Sequence, residues 1–186
     1  MGKLSVILDS DVLIALLKSG SIDILQCMDH IEFITTEINY AEIHKGAEAS
    51  DFDGIVLKKI VKVAILNEPM ALVKFAEFQK VIDAGESAVI ALASLNGWHI
   101  AMHDRAGRKV ATNELSKGRV HRLEDIIVDS VRSGCLSIEQ ANLSAKRLRN
   151  VNDYRLCFIE TGIQSILDDP EFGISIKPKS IGGAQA

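Results

Sequence analysis

Leu4-Ser5-Val6-Ile7-Leu8-Asp9-Ser10-Asp11-Val12-Leu13 decides the fold. Its first five residues are mostly apolar and predict a short buried strand. Two carboxylates follow with one residue between them, and an apolar helical pattern of Val12, Leu13, Ala15 and Leu16 starts at once. In an open α/β sheet, binding sites form just beyond the carboxyl end of a strand, where this acidic turn would sit. Asp9 is therefore expected to be the first member of an acidic cluster that holds a metal ion. Asp11 is expected to cap the following helix, which runs to about Lys18.

Downstream the strand-then-helix alternation recurs. Ser21 to His30 predicts a short helix and Glu32 to Thr36 a strand, with Thr36 capping a helix from Glu37 to about Ala49. Asp51-Phe52-Asp53-Gly54 predicts a turn, Ile55 to Ile60 a helical piece, and Val61 to Ile65 an edge strand. Pro69 suits the first position of a helix that reaches about Ile82. Asp83-Ala84-Gly85-Glu86 opens the most apolar helix of the chain, and Gly97 is a natural left-handed stop for it. Trp98 to Met102 reads as a strand, Arg105 to Leu115 as a helix, and Val120 to Leu123 as one more short strand. From Glu124 onward the pattern is helical: 124–132, then 137–149 behind the capping box Ser137-Ile138-Glu139-Gln140, then 153–167. Together these predict an α/β fold, a three-layer α/β/α sandwich around a central, mostly parallel sheet of four to five strands, with added C-terminal helices. Residues 1–123 are expected to carry the site, 124–176 to form a helical extension packed on it, and 177–186 to be a disordered tail.

A chain of 186 residues, 47% apolar and 25% charged, has an ordinary globular composition and can bury one sizeable core. The longest apolar run, Ala88 to Leu95, is broken by Ser94 and is too short to cross a bilayer. Asp9 and Asp11 fall where a secretory signal would need its apolar segment. A cytoplasmic protein without a membrane partner is expected. Cys27, Cys135 and Cys157 show no metal or redox spacing and are expected to be buried, reduced thiols. The net charge of −4 excludes a protein that grips nucleic acid over its whole surface. Local basic clusters remain at Arg105, Arg108 and Lys109, at Lys117, Arg119 and Arg122, and at Lys146, Arg147 and Arg149.

The candidate site rests on acids. Asp9 and Asp104 each end an apolar strand and each precede a helix. They face one crevice if their strands are neighbours where the strand order reverses; the alternative is that each only caps its helix. Glu86 shares a helical stripe with Val89, Ile90 and Ala93 and so is aimed inward, although Asp83-x-x-Glu86 also fits a capping box. Glu42 lies mid-helix, where a glutamate is ordinarily a solvated surface residue. Two unit charges ~4 Å apart repel by about 4 kcal/mol at an effective dielectric of ~20, and a divalent cation removes that cost. An all-oxygen set points to Mg²⁺ or Mn²⁺ rather than zinc, and Mg²⁺ favours a substrate that carries phosphate.

These motifs, taken in order, resemble the PIN-domain ribonucleases, the fold of VapC-like toxins in prokaryotic toxin–antitoxin pairs. The stations are Leu8-Asp9-Ser10-Asp11-Val12-Leu13, then Thr35-Thr36 with Ala41-Glu42-Ile43, then Gly85-Glu86 opening an Ala/Ile-rich helix, then His103-Asp104-Arg105. They span Leu4 to about Leu115. Glu86 stands where the pattern more often has Asp, as in a branch with a Gly-Glu signature, and the helices past Glu124 are longer than in compact toxins. The resemblance implies metal-dependent RNA cleavage in which Asp9, Glu42 and Asp104 anchor Mg²⁺ or Mn²⁺ and Glu86 completes the cluster or positions the attacking water. It implies further that Ser10 bonds a metal water and that Arg105 and Arg108 hold phosphate, the alternative for the arginines being a solvated helix face. RNA, an antitoxin and a second copy of the chain are the implied partners.

Two other readings fit parts of the pattern. Asp9-x-Asp11-x-Leu13 also resembles the nucleophile loop of haloacid-dehalogenase-like phosphatases, with Asp9 attacking phosphate. That reading needs a downstream lysine and a second acid after Asp104, where Arg105 stands, and it leaves the Gly85-Glu86 helix without a role. A PIN-like fold that binds a partner without cutting is the other; four intact acids speak against it.

Overall fold

The computed structural model describes residues 2–152 and 156–174. Alternate residues of β1 (Leu4–Leu8) point to opposite faces, and Val6, Ile7 and Leu8 are all fully buried. A strand apolar on both sides must be covered on both sides, which is the setting of a parallel sheet. The sheet adds β2 (Ile31–Thr36), β3 (Val61–Ala64), β4 (His99–Ala101) and β5 (Val120–His121) in the order β3-β2-β1-β4-β5. Every pairing is parallel, so the five-stranded sheet is parallel throughout.

Val6, Leu8, Phe33, Val61 and Ala101 face one core layer, built with α1 (Ser10–Lys18), α2 (Asp23–Cys27), α4 (Ala49–Leu57), α8 (Leu123–Arg132) and α9 (Ile138–Asn152). Ile7, Ile34 and Ile100 face the other, built with α5 (Pro69–Phe78), α6 (Ala84–Asn96) and α7 (Arg105–Leu115). The expected three-layer α/β/α sandwich is thus the observed one. α3 (Glu37–Ile43) leaves the end of β2, and α10 (Gln164–Leu167) lies near the end of the described chain.

The strand order places the site. From β1 the chain steps outward through β2 to the edge strand β3, then returns on the other side as β4 and β5. β1 and β4 are therefore neighbours, with Leu8 opposite Ala101, and the order reverses between them. Asp9 and Asp104 leave these two strands into the crevice that opens at such a reversal.

Several local expectations are corrected. Asp9 caps α1 in place of Asp11, because its carboxylate accepts the Ser10 N–H and Asp11 already lies in the first turn. The helix after Thr36 stops at Ile43 rather than Ala49, and the Asp51–Gly54 turn lies inside α4. Burial explains the second change: Phe52 and Ile55 both reach the core from α4, which outweighs the helix cost of Gly54. The stretch 153–167 is not one helix: residues 156–163 make turns that bury Leu156, Phe158 and Ile163, and only α10 is helical. The start of that stretch, and the tail 177–186, lie outside the described residues.

The cysteine expectation also fails. Cys27 and Cys135 are joined in a disulfide with their Cα atoms 5.6 Å apart, and Cys157 is an exposed free thiol. The bridge ties the end of α2 to the turn after α8, a meeting across 108 residues that no local spacing could announce.

The end of the described chain is held by α8. The Arg132 guanidinium donates to the carbonyls of Leu167, Asp169 and Phe172 at 2.6–2.9 Å. Asp125 accepts the Gly173 N–H and Asp129 the Ile174 N–H. Among the described residues, no helix is long and apolar enough to cross a membrane.

Candidate active site

Each acid is placed by a local rule. Asp9 ends β1 and is only 3% exposed. Its Oδ1 accepts the Ser10 N–H at 2.9 Å and the Asn39 side-chain amide at 3.0 Å. Asn39, itself fully buried, is held by Thr36, whose hydroxyl caps α3 by accepting the Asn39 N–H and donates to the Asn39 side-chain oxygen. The N-cap of α3 thereby orients the carboxylate of a different strand.

Glu42 lies one turn into α3 and accepts from the Ser10 hydroxyl at 2.8 Å, a direct link between the first two stations. The start of α6 passes close by. A Cβ at Gly85 would lie 2.9 Å from Glu42 Oε2 and 3.0 Å from the Asn39 amide nitrogen, so a side chain here would push the Glu42 carboxylate and the Asn39 amide out of place. Asp83 caps α6 through the Glu86 N–H at 2.9 Å. That spends the capping role on Asp83 and leaves the Glu86 carboxylate, in the first turn, to line the cleft. A Cβ at Gly107 would lie 2.5 Å from Glu86 Oε1, so α7 too comes in over a glycine. Asp104 caps α7 with its Oδ1, which accepts from the N–H groups of Ala106 at 2.6 Å and Gly107 at 2.9 Å.

Asp9, Ser10, Glu42, Glu86 and Asp104 all line one open cleft of about 390 Å³. Asp11 and Asp83 line it as well, and Val81, Ile82 and Ala106 supply its apolar rim. Among the described residues, no lysine, arginine or histidine lines this cleft. The crowding shows in the protonation of the acids. Burial first, then the charges of Asp11 and Glu86, push the Asp9 carboxyl up to about 8. Burial, then Asp83 and Asp104, push Glu86 up to about 7. Asp104 goes the other way: the N–H of Gly107, seconded by those of Ala106 and Arg105, holds it below the usual carboxylate range. Among the described residues, no three carboxylate, imidazole or thiolate groups stand close enough to enclose a cation unaided. The donor set still fits Mg²⁺ or Mn²⁺. It is all oxygen, no basic side chain among the described residues lines the cleft beside it, and Mg²⁺ takes only one or two carboxylates while keeping several waters.

The arginines are not in the cleft lining. Arg105 is exposed on the first turn of α7. Arg108 turns back onto the carbonyls of Met102 and His103, in a separate groove beside β5. The sequence reading missed Asn39, whose only sequence signal is its place three residues after the Thr36 cap. It also gave Asp83 no more than a capping role, and Asp11 only a cap or, in the phosphatase reading, the acid/base.

Open α/β sheets place their ligand sites at the point where the strand order reverses, and here that crevice is lined by acids. The chain belongs to the PIN-domain family: the family model described as a PIN domain matches residues 5–156. PIN domains are generally nucleases. No curated protein and no solved structure matches the chain.

Proposed function

We propose that this protein is a metal-dependent endoribonuclease that hydrolyses RNA phosphodiester bonds in the acidic cleft. The observation that carries the reading is the convergence of Asp9, Glu42, Glu86 and Asp104, from four separate elements, on one cleft lined by no basic side chain. Asp9, Glu42 and Asp104 would hold Mg²⁺ or Mn²⁺. When bound, the cation neutralises charge on the scissile phosphate and makes water a better nucleophile. Glu86, with a carboxyl raised toward neutrality, takes the proton of the attacking water. Ser10 holds the Glu42 carboxylate in place, and Asn39 does the same for Asp9. Arg105, exposed beside Asp104, would meet the phosphate chain outside the cleft, and Arg108 would stiffen the loop that carries Asp104.

The phosphatase alternative needs a lysine beside Asp9, and the cleft lining supplies none among the described residues. Within the nuclease reading, we assign the protein the role of the toxin of a toxin–antitoxin pair, held in check by an antitoxin and able to pair with a second copy. The family resemblance supports this role.

The test is cleavage of a mixed RNA pool by purified protein with Mn²⁺, with EDTA and with Asp9→Asn. Cleavage that requires Mn²⁺ and disappears in Asp9→Asn is expected. Intact RNA together with turnover of a phosphate monoester would overturn the reading. For the toxin role, expression of the active chain should arrest growth and Asp9→Asn should not.

A further inference from the structure

The end of the sheet away from the acids carries the opposite charge. A groove of about 410 Å³ opens at the amino ends of the central strands and is lined by Lys3, Lys58, Lys59 and Lys62. Lys3 precedes β1, Lys58 and Lys59 follow α4, and Lys62 lies in the edge strand β3. The acids facing the groove are Asp29 and Glu32, and Glu32 is engaged by Lys62 and by the Ser5 hydroxyl. Lys3, Lys58 and Lys59 are exposed and have no carboxylate partner among the described residues. The lining thus sets four lysines against two acids in a chain whose net charge is −4.

A second observation is backbone strain. Lys59 has φ +57, in the left-handed region. It closes α4 in the motif where Lys59 N–H bonds Val56 O and Ile60 N–H bonds Ile55 O, and that position ordinarily belongs to glycine. Favourable charge at a helix C-terminus does not explain the choice, because Lys58 already supplies it without strain. A strained lysine that fold stability does not require points to a use for its ammonium group.

We infer that this groove is a second contact site for the sugar–phosphate backbone of RNA, engaging the part of the strand remote from the cut. The inference rests on the nuclease reading for the identity of the polyanion. Five residues of β1 separate the two ends, roughly 17 Å at about 3.3 Å per residue. An RNA touching both sites needs at least about five nucleotides at a stacked spacing of ~3.4 Å. The net negative protein would thus grip at two places, the acidic cleft with its cation bound and the lysine groove.

The test is binding of an end-labelled RNA of about 20 nucleotides to the full chain in EDTA, with salt raised from about 50 to about 200 mM. Each phosphate-contacting lysine removed should make the log–log salt slope shallower by about 0.7 and weaken binding about fivefold at ~0.1 M salt. The Lys58→Ala/Lys59→Gly double variant should therefore lose about 25-fold. Lys59→Gly alone should weaken binding while raising Tm by about 2–4 °C, a split that a structural lysine would not give. An unchanged slope in the double variant overturns the inference, and so does a Tm that falls in Lys59→Gly. Anionic-lipid vesicles that bind the wild type through these lysines, with RNA binding unaffected, would also overturn it. If the wild type cleaves no RNA but the slope still falls in the variants, the nuclease reading fails and the groove stands. If it cleaves RNA and the slope does not move, the reverse holds.

Discussion

Asn39, Gly85 and Gly107 do as much to define the cleft as the acids themselves. Among the described residues, Asn39 is the only side chain that donates to Asp9, and it is fully buried. Replacing it with alanine leaves a buried carboxyl oxygen without that partner, and Asn39→Ala should weaken Mn²⁺ binding by about 10–100-fold, read by calorimetry. Gly107→Ala puts a methyl where Glu86 Oε1 now lies. RNA cleavage should fall at least about tenfold while the circular dichroism spectrum stays native, since the carboxylate can swing away more easily than the helix can move. Asp9→Asn should be more stable than the wild type in EDTA near pH 7.5. The Asp9 carboxyl, raised from 3.8 to about 8, favours the fold when protonated, and that contribution is full below about 4, declines as pH rises from there and is gone above about 8. Asparagine carries no charge to bury. Added Mn²⁺ should raise the wild-type Tm and leave Asp9→Asn unmoved. At this scale the sequence was partly legible: the four acids stand in recognisable strand-end and helix-start positions and do line one cleft. The supporting residues were not, because a glycine's close approach and an asparagine's reach across 30 residues are properties of packing.

Among the elements, the strand–helix alternation was readable because apolar residues repeat with the two distinct periods of strand and helix. Thr36, Asp83 and Gly97 punctuate helices where their chemistry says they should. Reading failed where burial overrode local propensity, as at Phe52 and Gly54 inside α4, and where short turns bury single residues such as Phe158. It failed also for Cys27 and Cys135. That disulfide should add about 2–4 kcal/mol to stability, so Cys27→Ser/Cys135→Ser should lower the urea midpoint, and thiol titration of the unreduced native protein should find Cys157 alone. A different device joins β4 to β5. His99 Nδ1 and His121 Nε2 lie 2.8 Å apart, a pair that shares one hydrogen and has no place for a second. Burial first, then His99, pushes His121 down to about 4. The unfolded chain therefore takes up a proton that the folded one refuses. The contribution, about 3 kcal/mol at most, is complete above pH ~6.5 and is lost as pH falls from there through about 4. Urea midpoints measured across that range should decline, and His121→Phe should flatten the decline.

For the whole molecule, the parallel sheet sorts charge by end: acids beyond the carboxyl ends of the strands, lysines before the amino ends. A single net value conceals this polarity, which is why composition could rule out an all-over basic surface without showing where RNA would lie. Architecture was legible from the alternation of elements; that β1 and β4 are neighbours at the reversal was only the condition under which Asp9 and Asp104 would share a crevice, and the strand pairing meets it. The clasp on α8 has a practical consequence. The family match ends at residue 156, whereas Arg132 finds its carbonyl partners at 167–172. Anyone who trims the gene to the matched span removes those carbonyls from Arg132 and the Gly173 and Ile174 N–H groups from Asp125 and Asp129, and the shortened product should come out as inclusion bodies where the longer one stays in the supernatant.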